Sequence, residues 1–290
     1  MELDTNKLIF YALLAAVKAG EKILEVYSSK FYVEKKADDS PLTLADTSSH
    51  ETIDLILKRQ FTYIPLLSEE GKEVPYETRR GWKYIWLVDP LDGTKDFLKR
   101  NDEFTVNIAL VQKNRPVLGI IYIPVADTVY YGMEEGGSYK KIAVKESFGE
   151  LDNTDDGFLD RWIESSQSLP LYTRRDTEKL IVVKSRSHQS IETDRYILRL
   201  QERFGDVKIV SAGSSIKFCL VAEGKADIYP RFGPTMEWDT AAGDAIIQNA
   251  GGGVVSVTNW DKMKYNKKDL KNPGFIAFSK RIEQCKIFNI

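Results

Sequence analysis

Apolar side chains return every three or four positions in the first part of the chain, and this spacing predicts two helices. From Thr5 to about Ser28, residues such as Leu8 and Ala12 fall on one face, which is typical of an amphipathic helix. A second helix is predicted from near Thr43 to Gln60, with Ile53 on its inner face.

Four closely spaced segments that are rich in β-branched and aromatic residues follow. They are Tyr84 to Val88, Thr105 to Gln112, Val117 to Ile123 and Thr128 to Met133. Turn-forming residues at 114–116 and 124–127 separate the last three of them, which indicates an antiparallel meander. The first half of the chain is therefore predicted to place helices over an antiparallel sheet.

The second half alternates between strand and helix patterns. A polar stretch from about Glu146 to Glu178 precedes it, with a short helix near Phe158 to Ile163, and is the predicted domain boundary. Strands are predicted at Leu180 to Lys184, Val207 to Val210, Ala226 to Tyr229 and Val254 to Thr258. Helices are predicted at Ser190 to Phe204, Ser214 to Glu223 and Thr240 to Ala250. Such alternation indicates an α/β layer.

Together these elements predict a mixed α/β (α+β) protein of two domains. Residues 1–160 would form the helix-plus-sheet domain with most of the site, and residues 179–290 the α/β domain. Stacking of the two gives a layered α-β-α-β-α sandwich. No internal repeat or low-complexity tract points to another architecture.

Composition narrows the possible partners. The 290 residues are 42% hydrophobic and 29% charged, with a formal net charge of -2, so a nucleic-acid polymer is not an expected partner. A small anionic substrate, bound by metal and a few local cations, fits better. Oligomeric state stays open.

The cellular location is predicted to be the cytoplasm. Cys219 and Cys285 show no pairing pattern and are expected to be reduced thiols. The apolar run from Leu8 to Val17 is too short to span a bilayer, and Glu2 and Asp4 stand where a secretory signal would carry positive charge.

The richest candidate chemistry follows the strand that ends at Val88. There the chain continues as Asp89, Pro90, Leu91, Asp92, Gly93 and Thr94. Pro90 fixes its φ angle and Gly93 permits a tight turn, so the Leu91 carbonyl can face the same side as both aspartates. Carboxylates three residues apart at a strand end can share one hard cation. An ordinary Asx turn is the alternative.

Two further acidic positions complete a possible metal site. Glu69 follows a short apolar segment, and Asp239 opens a helix of small residues far downstream. Alone, Glu69 and Glu70 would be read as a solvated turn. Together, Glu69, Asp89, Asp92 and Asp239 give enough oxygen ligands for Mg²⁺, which prefers near-octahedral oxygen coordination and retains waters.

The stretches 89–94 and 238–243 together resemble the inositol monophosphatase-like superfamily of lithium-sensitive, magnesium-dependent phosphatases. Within it, the chain looks most similar to the bacterial 3′(2′),5′-bisphosphate nucleotidases, through residues 185–188, 213–219 and 229–235. The resemblance spans nearly the whole chain. The long segment from Glu146 to Glu178 departs from it.

The resemblance implies a role for each site residue. Two or three Mg²⁺ ions would be bound by Glu69, Asp89, the Leu91 carbonyl, Asp92 and Asp239. The catalytic residues would be Glu69, Asp46 and Thr94, the last two positioning and activating the attacking water. The substrate would contact Gly93, Thr94, His188, Ser214, Lys217, Arg231 and Asp239, with Lys217 and Arg231 near a second, uncleaved phosphate.

Three functions are compatible with these residues. The first is removal of the 3′-phosphate from adenosine 3′,5′-bisphosphate to give AMP, with the sulfated analogue as a second substrate. The second is an inositol or sugar phosphate phosphatase. The third is a metal-dependent nucleotide sensor without turnover, which the joint presence of Asp46 and Thr94 disfavours because a sensor needs no water-activating pair. Asp46 and Thr94 also have ordinary interpretations as residues at helix starts.

Overall fold

The computed structural model describes residues 4–28, 33–35, 41–149, 157–172, 179–188, 190–282 and 287. Within these ranges the helices are α1 (Thr5–Tyr27), α2 (Leu44–Gln60), α3 (Tyr76–Arg79), α4 (Thr94–Leu98), α5 (Val144–Gly149), α6 (Phe158–Glu164), α7 (Ile191–Phe204), α8 (Ile216–Glu223) and α9 (Glu237–Asn249). The strands are β1 (Val33–Lys35), β2 (Pro41–Thr43), β3 (Leu66–Ser68), β4 (Tyr84–Asp92), β5 (Thr105–Gln112), β6 (Arg115–Ile123), β7 (Thr128–Met133), β8 (Gly137–Ile142), β9 (Gln167–Ser168), β10 (Leu180–Ser185), β11 (Val207–Ala212), β12 (Ile228–Arg231), β13 (Gly253–Ser256) and β14 (Phe275–Phe278).

The larger sheet has seven strands in the order β3-β4-β5-β6-β7-β8-β9. Neighbours from β4 to β9 are antiparallel, which confirms the meander. The short edge strand β3 was not predicted, and it runs parallel to β4. The strand β9 lies in the polar segment that was taken as a boundary, and it closes the far edge of this sheet.

The smaller sheet has five strands in the order β11-β10-β12-β14-β13. Its parallel part, β11-β10-β12, agrees with the predicted strand and helix alternation. Strand β14 was missed, and it inserts antiparallel between β12 and β13. A strand of four residues carries little periodicity, so only its two distant partners define it.

The layers stack as the sequence predicts. Helices α1 and α2 cover the outer face of the seven-stranded sheet. Helices α8 and α9 fill the space between the two sheets, and α7 lies against the smaller sheet. This arrangement is the predicted α-β-α-β-α sandwich, and a two-stranded ribbon of β1 and β2 is added to it.

One hydrophobic cluster draws on both halves of the chain. Leu87 and Ala109 of the larger sheet pack in the same cluster as Phe218 and Ala242 of the middle helices. The middle layer is therefore anchored to both sheets by shared apolar contacts. The division at residues 160 and 179 remains a prediction, since 150–156 and 173–178 lie outside the described residues.

Several predicted boundaries were wrong by two or more residues; for example, β4 continues to Asp92 rather than ending at Val88. Two of them have a visible cause. Helix α9 begins at Glu237 rather than Thr240, because the Asp239 carboxylate accepts the Met236 N–H at 2.9 Å and caps an earlier first turn. Strand β12 begins at Ile228 rather than Ala226, because the Ala226 N–H still donates to the Leu220 carbonyl at 3.0 Å.

Two other predictions from the sequence concern the cysteines and membrane-spanning helices. Cys219 is buried as a free thiol in α8, as predicted, whereas Cys285 lies outside the described residues. None of the helices in the described ranges has both the length and the apolar character needed to cross a bilayer.

Helix α9 approaches the larger sheet closely at Gly119 of β6. A Cβ atom at this position would lie 2.3 Å from the Ala242 carbonyl oxygen. We expect Gly119→Ala to lower the free energy of unfolding by about 1–3 kcal/mol, because the helix must move away from the sheet. Gly81→Ala is the matched control, since nothing lies within 4 Å of its Cβ position, and urea unfolding of both variants is the measurement. Equal effects would contradict this close packing.

Asp244 of α9 gives the fold a pH dependence. It is fully buried, and it accepts hydrogen bonds from the Tyr265 hydroxyl at 2.8 Å and the Gln248 amide at 2.7 Å. Burial raises the pKa of Asp244 to about 7, although both hydrogen bonds and Lys262 oppose the rise. The folded state then retains a proton that the unfolded state has released, so this contribution to stability is present at low pH and is lost as the pH rises towards 7.

We therefore expect Asp244→Asn to flatten the loss of stability with rising pH. Between about pH 5 and about pH 8, the variant should lose about 2 kcal/mol less than the wild type, as measured by urea unfolding. Asp261→Asn, at an exposed acid, is the control that should retain the wild-type slope. Parallel curves for wild type and Asp244→Asn would contradict the buried proton.

Candidate active site

The site is built where β4 ends in an irregular turn. Pairing with β5 shifts register between Asp89 and Asp92, so the two residues between them leave the ladder. The Leu91 N–H donates to Asp89 Oδ1 at 3.2 Å, and Gly93 follows with a φ of 92°, a left-handed conformation that glycine adopts without strain. This bulge directs both carboxylates and the turn towards one side.

Glu69, Asp89 and Asp239 converge there from three elements. One carboxylate oxygen from each lies within 4.8 Å of the others. Glu69 reaches this position because β3 runs parallel to β4, and its N–H donates to the Val88 carbonyl at 3.2 Å. Three of the four acids that were predicted to converge thus meet in the folded chain, and Asp92 lines the same cavity without belonging to this group.

Asp239 stands on a helix start that is held by buried polar groups. The Glu237 carboxylate accepts the N–H groups of Asn266 at 2.5 Å and Lys267 at 2.9 Å. The Asn272 amide donates to the Met236 carbonyl at 2.6 Å. Sequence reasoning missed this support, because it comes from a loop about thirty residues away whose pattern carries no signal of its own.

The acids raise one another's pKa. Burial raises the pKa of Asp89 well above its usual range, and the charges of Glu69, Asp92, Asp239 and Asp46 add to the effect. Burial and the neighbouring Asp92 charge do the same for Asp239. Such a group of repelling oxygen donors fits a hard divalent cation, which would restore the balance of charge.

Asp92 is held by a different set of partners. Burial raises its pKa, while Lys217, the Asn107 amide and the Ser215 N–H lower it. Asn107 Nδ2 donates to Asp92 Oδ2 at 3.4 Å, and Asn107 Oδ1 accepts the hydroxyls of Thr105 and Ser215 at 3.1 Å and 2.7 Å. Asn107 was not predicted, although an asparagine within an otherwise apolar strand is the signal that could have revealed it.

The two residues assigned to the attacking water lie beside this cluster. The Thr94 hydroxyl donates to the Leu91 carbonyl at 3.4 Å. Asp46 is 3% exposed in the first turn of α2, and its charge contributes to the raised pKa of Asp89. Helix α2 is tied to the turn by Ser49, whose hydroxyl donates to the Pro90 carbonyl at 2.7 Å.

A cavity of about 310 Å³ opens over these groups. It is lined by every predicted site residue apart from Asp46, namely Glu69, Asp89, Leu91, Asp92, Gly93, Thr94, His188, Ser214, Lys217, Arg231 and Asp239. Residues outside the predicted site set also line it, including Lys95, Asp96, Ser215 and Thr235. Lys95 and Asp96 directly follow the motif and could have been included on that ground.

Two cations that line the cavity, Lys217 and Arg231, are buried and donate hydrogen bonds to neutral groups. Lys217 is 5% exposed, and its ammonium contacts the carbonyls of Ala212 and Ser214 and lies 5.4 Å from the centre of the Tyr229 ring. Burial lowers the pKa of Lys217 to about 8, with Asp92 opposing. The ammonium of Lys217 is therefore buried in the wall of the cavity rather than on the protein surface.

Arg231 is buried as well, at 8% exposure. Its guanidinium donates to the backbone carbonyls of His188 at 3.3 Å and Pro234 at 3.1 Å. Its Nε is buried without a hydrogen-bond partner in the described part of the chain. Arg231 thus also lies in the wall of the cavity rather than on the protein surface.

The two histidines have different surroundings. His188 is exposed at the rim of the cavity, and its Nε2 lies 3.2 Å from Lys95 Nζ. A lone histidine on a helix is usually a surface residue, and His50 of α2 departs from this expectation. It is half-buried, with Nδ1 2.9 Å from the Ser68 hydroxyl, because β3 packs beside α2.

Comparison with known proteins agrees with this geometry. The inositol monophosphatase family matches residues 4–288. The chain is 41% identical over 265 residues to the 3′(2′),5′-bisphosphate nucleotidase CysQ of Salmonella typhimurium, covering 90% of this chain and 95% of that protein. Its counterpart from Shigella flexneri is 42% identical with the same coverage.

A solved structure is similar over nearly the full length. The crystal structure of CysQ from Bacteroides thetaiotaomicron, described as a bacterial member of the inositol monophosphatase family, has a TM-score of 0.85 and 49% sequence identity, and covers 97% of this chain and 100% of that one. The matching fold, the nearly complete family match and the converging acids lead to one conclusion. The chain belongs to the inositol monophosphatase family.

Proposed function

We propose that this protein is a magnesium-dependent 3′(2′),5′-bisphosphate nucleotidase, which hydrolyses the 3′-phosphate of adenosine 3′,5′-bisphosphate to give AMP and phosphate. Its relatives from Salmonella and Shigella carry that name. The sulfated analogue, with the same 3′-phosphate, is a second substrate in this proposal.

The observation that carries the proposal is the opposite charge of the two cavity walls. Glu69, Asp89 and Asp239 form an acidic wall, whereas Lys217 and Arg231 line the same 310 Å³ space. A substrate with one phosphate, bound at the metal, offers no anion to these cations beyond the partial compensation that Asp92 gives to Lys217. A substrate with two phosphates satisfies both walls, since one phosphate meets the metal and the other meets the cations.

The carboxylates of Glu69, Asp89, Asp92 and Asp239, with the Leu91 carbonyl, would hold Mg²⁺, which supplies positive charge to the reacting phosphate and lowers the pKa of water. The chain's own residues then set the direction of attack. Thr94 orients the water, and the Asp46 carboxylate accepts its proton. The water oxygen bonds to phosphorus as the bond to the 3′-oxygen breaks, and the leaving oxygen takes up a proton from solvent water to give the alcohol. No covalent enzyme intermediate is needed.

Asp239→Asn tests the metal site by activity and by stability. Asparagine can still accept the Met236 N–H, but one of the repelling charges is removed. We expect magnesium-dependent phosphate release from adenosine 3′,5′-bisphosphate to fall by about 100-fold or more. In a chelator the variant should melt at a higher temperature than the wild type, because the remaining acids repel less.

Magnesium should reverse that order of melting temperatures. Ion binding stabilises the wild type by mass action, and the variant should gain less from it. Asp261→Asn, an exposed change outside the cavity, should behave as the wild type in every measurement. An equal rise in melting temperature for Asp239→Asn and wild type would remove Asp239 from the metal site.

Lys217→Met tests the choice of substrate, since it retains much of the side-chain volume and removes the ammonium. Relative to wild type, kcat/KM should fall about 10- to 100-fold on adenosine 3′,5′-bisphosphate and by less than about threefold on inositol 1-phosphate. Equal losses of kcat/KM on both substrates would indicate that Lys217 only offsets the charge of Asp92. A wild-type enzyme as efficient on inositol 1-phosphate as on the bisphosphate would contradict the proposed function itself.

A further inference from the structure

Lys95 lies at the rim of the cavity and has no role in the reaction described above. It follows Thr94 directly in the first turn of α4, and its side chain is exposed while still lining the cavity. Its ammonium therefore stands between solvent and the space where a substrate would bind. This position is suited to contact a charged part of the substrate away from the reacting phosphate.

The ammonium of Lys95 is held in place by a neutral partner. Nζ lies 3.2 Å from His188 Nε2. Partial desolvation and the charges of Arg231, Lys95 and Lys217 lower the pKa of His188 below its usual range, so the ring is neutral near pH 7 and Nε2 can accept a hydrogen bond. One of the three ammonium hydrogens is used in this way, and two others are available to a ligand.

No carboxylate in the described ranges forms an ion pair with Lys95. The adjacent acid, Asp96, is already engaged by the Asn101 amide at 2.7 Å and the Ser187 hydroxyl at 3.2 Å. The ammonium is thus directed to the His188 ring rather than to its sequence neighbour.

Three cations consequently face one cavity with neutral hydrogen-bond partners. Lys95 contacts an imidazole, Lys217 contacts backbone carbonyls, and Arg231 contacts the carbonyls of His188 and Pro234. His188 connects two of them, because its ring meets Lys95 and its carbonyl meets Arg231. Like charges gathered in this way repel, and Asp92 compensates only part of this at Lys217. A bound anion with two negative charges would offset the remaining repulsion.

We propose that Lys95 is a specificity-determining residue, whose ammonium binds the second, uncleaved phosphate of a nucleotide bisphosphate together with Lys217 and Arg231. His188 is the positioning residue that holds Lys95 for this contact. The inference rests on the proposed nucleotidase function and adds a residue on α4, next to Thr94, to the recognition of the substrate. Two adjacent residues then have different roles: Lys95 contributes to substrate selection, and Thr94 contributes to cleavage of the phosphate.

The experiment compares two substrates that share the cleaved phosphate. Adenosine 3′,5′-bisphosphate has the second phosphate, and adenosine 3′-monophosphate lacks it. For Lys95→Met in the magnesium-loaded enzyme, we expect KM on the bisphosphate to rise about 3- to 10-fold, with kcat within about twofold of wild type. On the monophosphate both constants should stay within about twofold of wild type. The KM difference should shrink as ionic strength rises.

The matched control is Lys99→Met, an exposed lysine on the last turn of the same helix that does not line the cavity. It should match the wild type on both substrates. An equal KM rise on both substrates for Lys95→Met, or a fall in kcat alone, would overturn the proposal, as would no change on either substrate. A wild type that does not favour the bisphosphate over inositol 1-phosphate would instead overturn the proposed function.

The role of His188 is tested by a double substitution. If His188 holds Lys95, the KM rise caused by Lys95→Met should be smaller in a His188→Ala background than in the wild type. A full additive effect would overturn the positioning role of His188 while retaining the contact between Lys95 and the phosphate. Melting temperatures of all variants should match the wild type within about 2 °C, because both side chains are exposed.

Discussion

Electrostatic repulsion among the acids is the constraint on which the rest of the structure depends. Glu69, Asp89 and Asp239 have oxygens within 4.8 Å of one another, and the burial of Asp89 makes its charge more unfavourable still. In a flexible structure, this repulsion would move the three carboxylates apart. They stay together because each is fixed by its own element: an edge strand, a bulged strand end and a helix start held by the buried Glu237 and Asn272.

The same constraint gives the cavity its chemical character. A cluster of acids that needs a cation makes an anion site once the cation is bound, and this explains how a protein with a net charge of -2 can recognise phosphate. The opposite wall uses buried cations whose hydrogen-bond partners are neutral, notably Lys217 and Arg231. The proposed function therefore uses two anion sites of different origin that face each other across one space.

Helix α9 links the acidic cluster to the packing of the two sheets. It packs between the two sheets, and the glycine at position 119 lets its backbone approach the larger sheet closely. Asp239 at its start belongs to the acidic cluster, whereas Asp244 is buried further along with Tyr265. A shift of this helix would move a candidate metal ligand and both hydrophobic interfaces together, so the packing of the core and the geometry of the site are coupled.

The sequence by itself determined the elements with strong local periodicity and the motif at 89–94. Helix α1, the meander β5 to β7 and the layered fold follow from alternation and spacing, because these patterns are local. The tertiary structure decided what depends on distant partners: strands β3 and β14, the half-buried place of His50, the support of Asp92 by Asn107, and the contact of Lys95 with His188. Each of these joins residues that lie far apart in the chain, and no local pattern records which distant groups folding brings together.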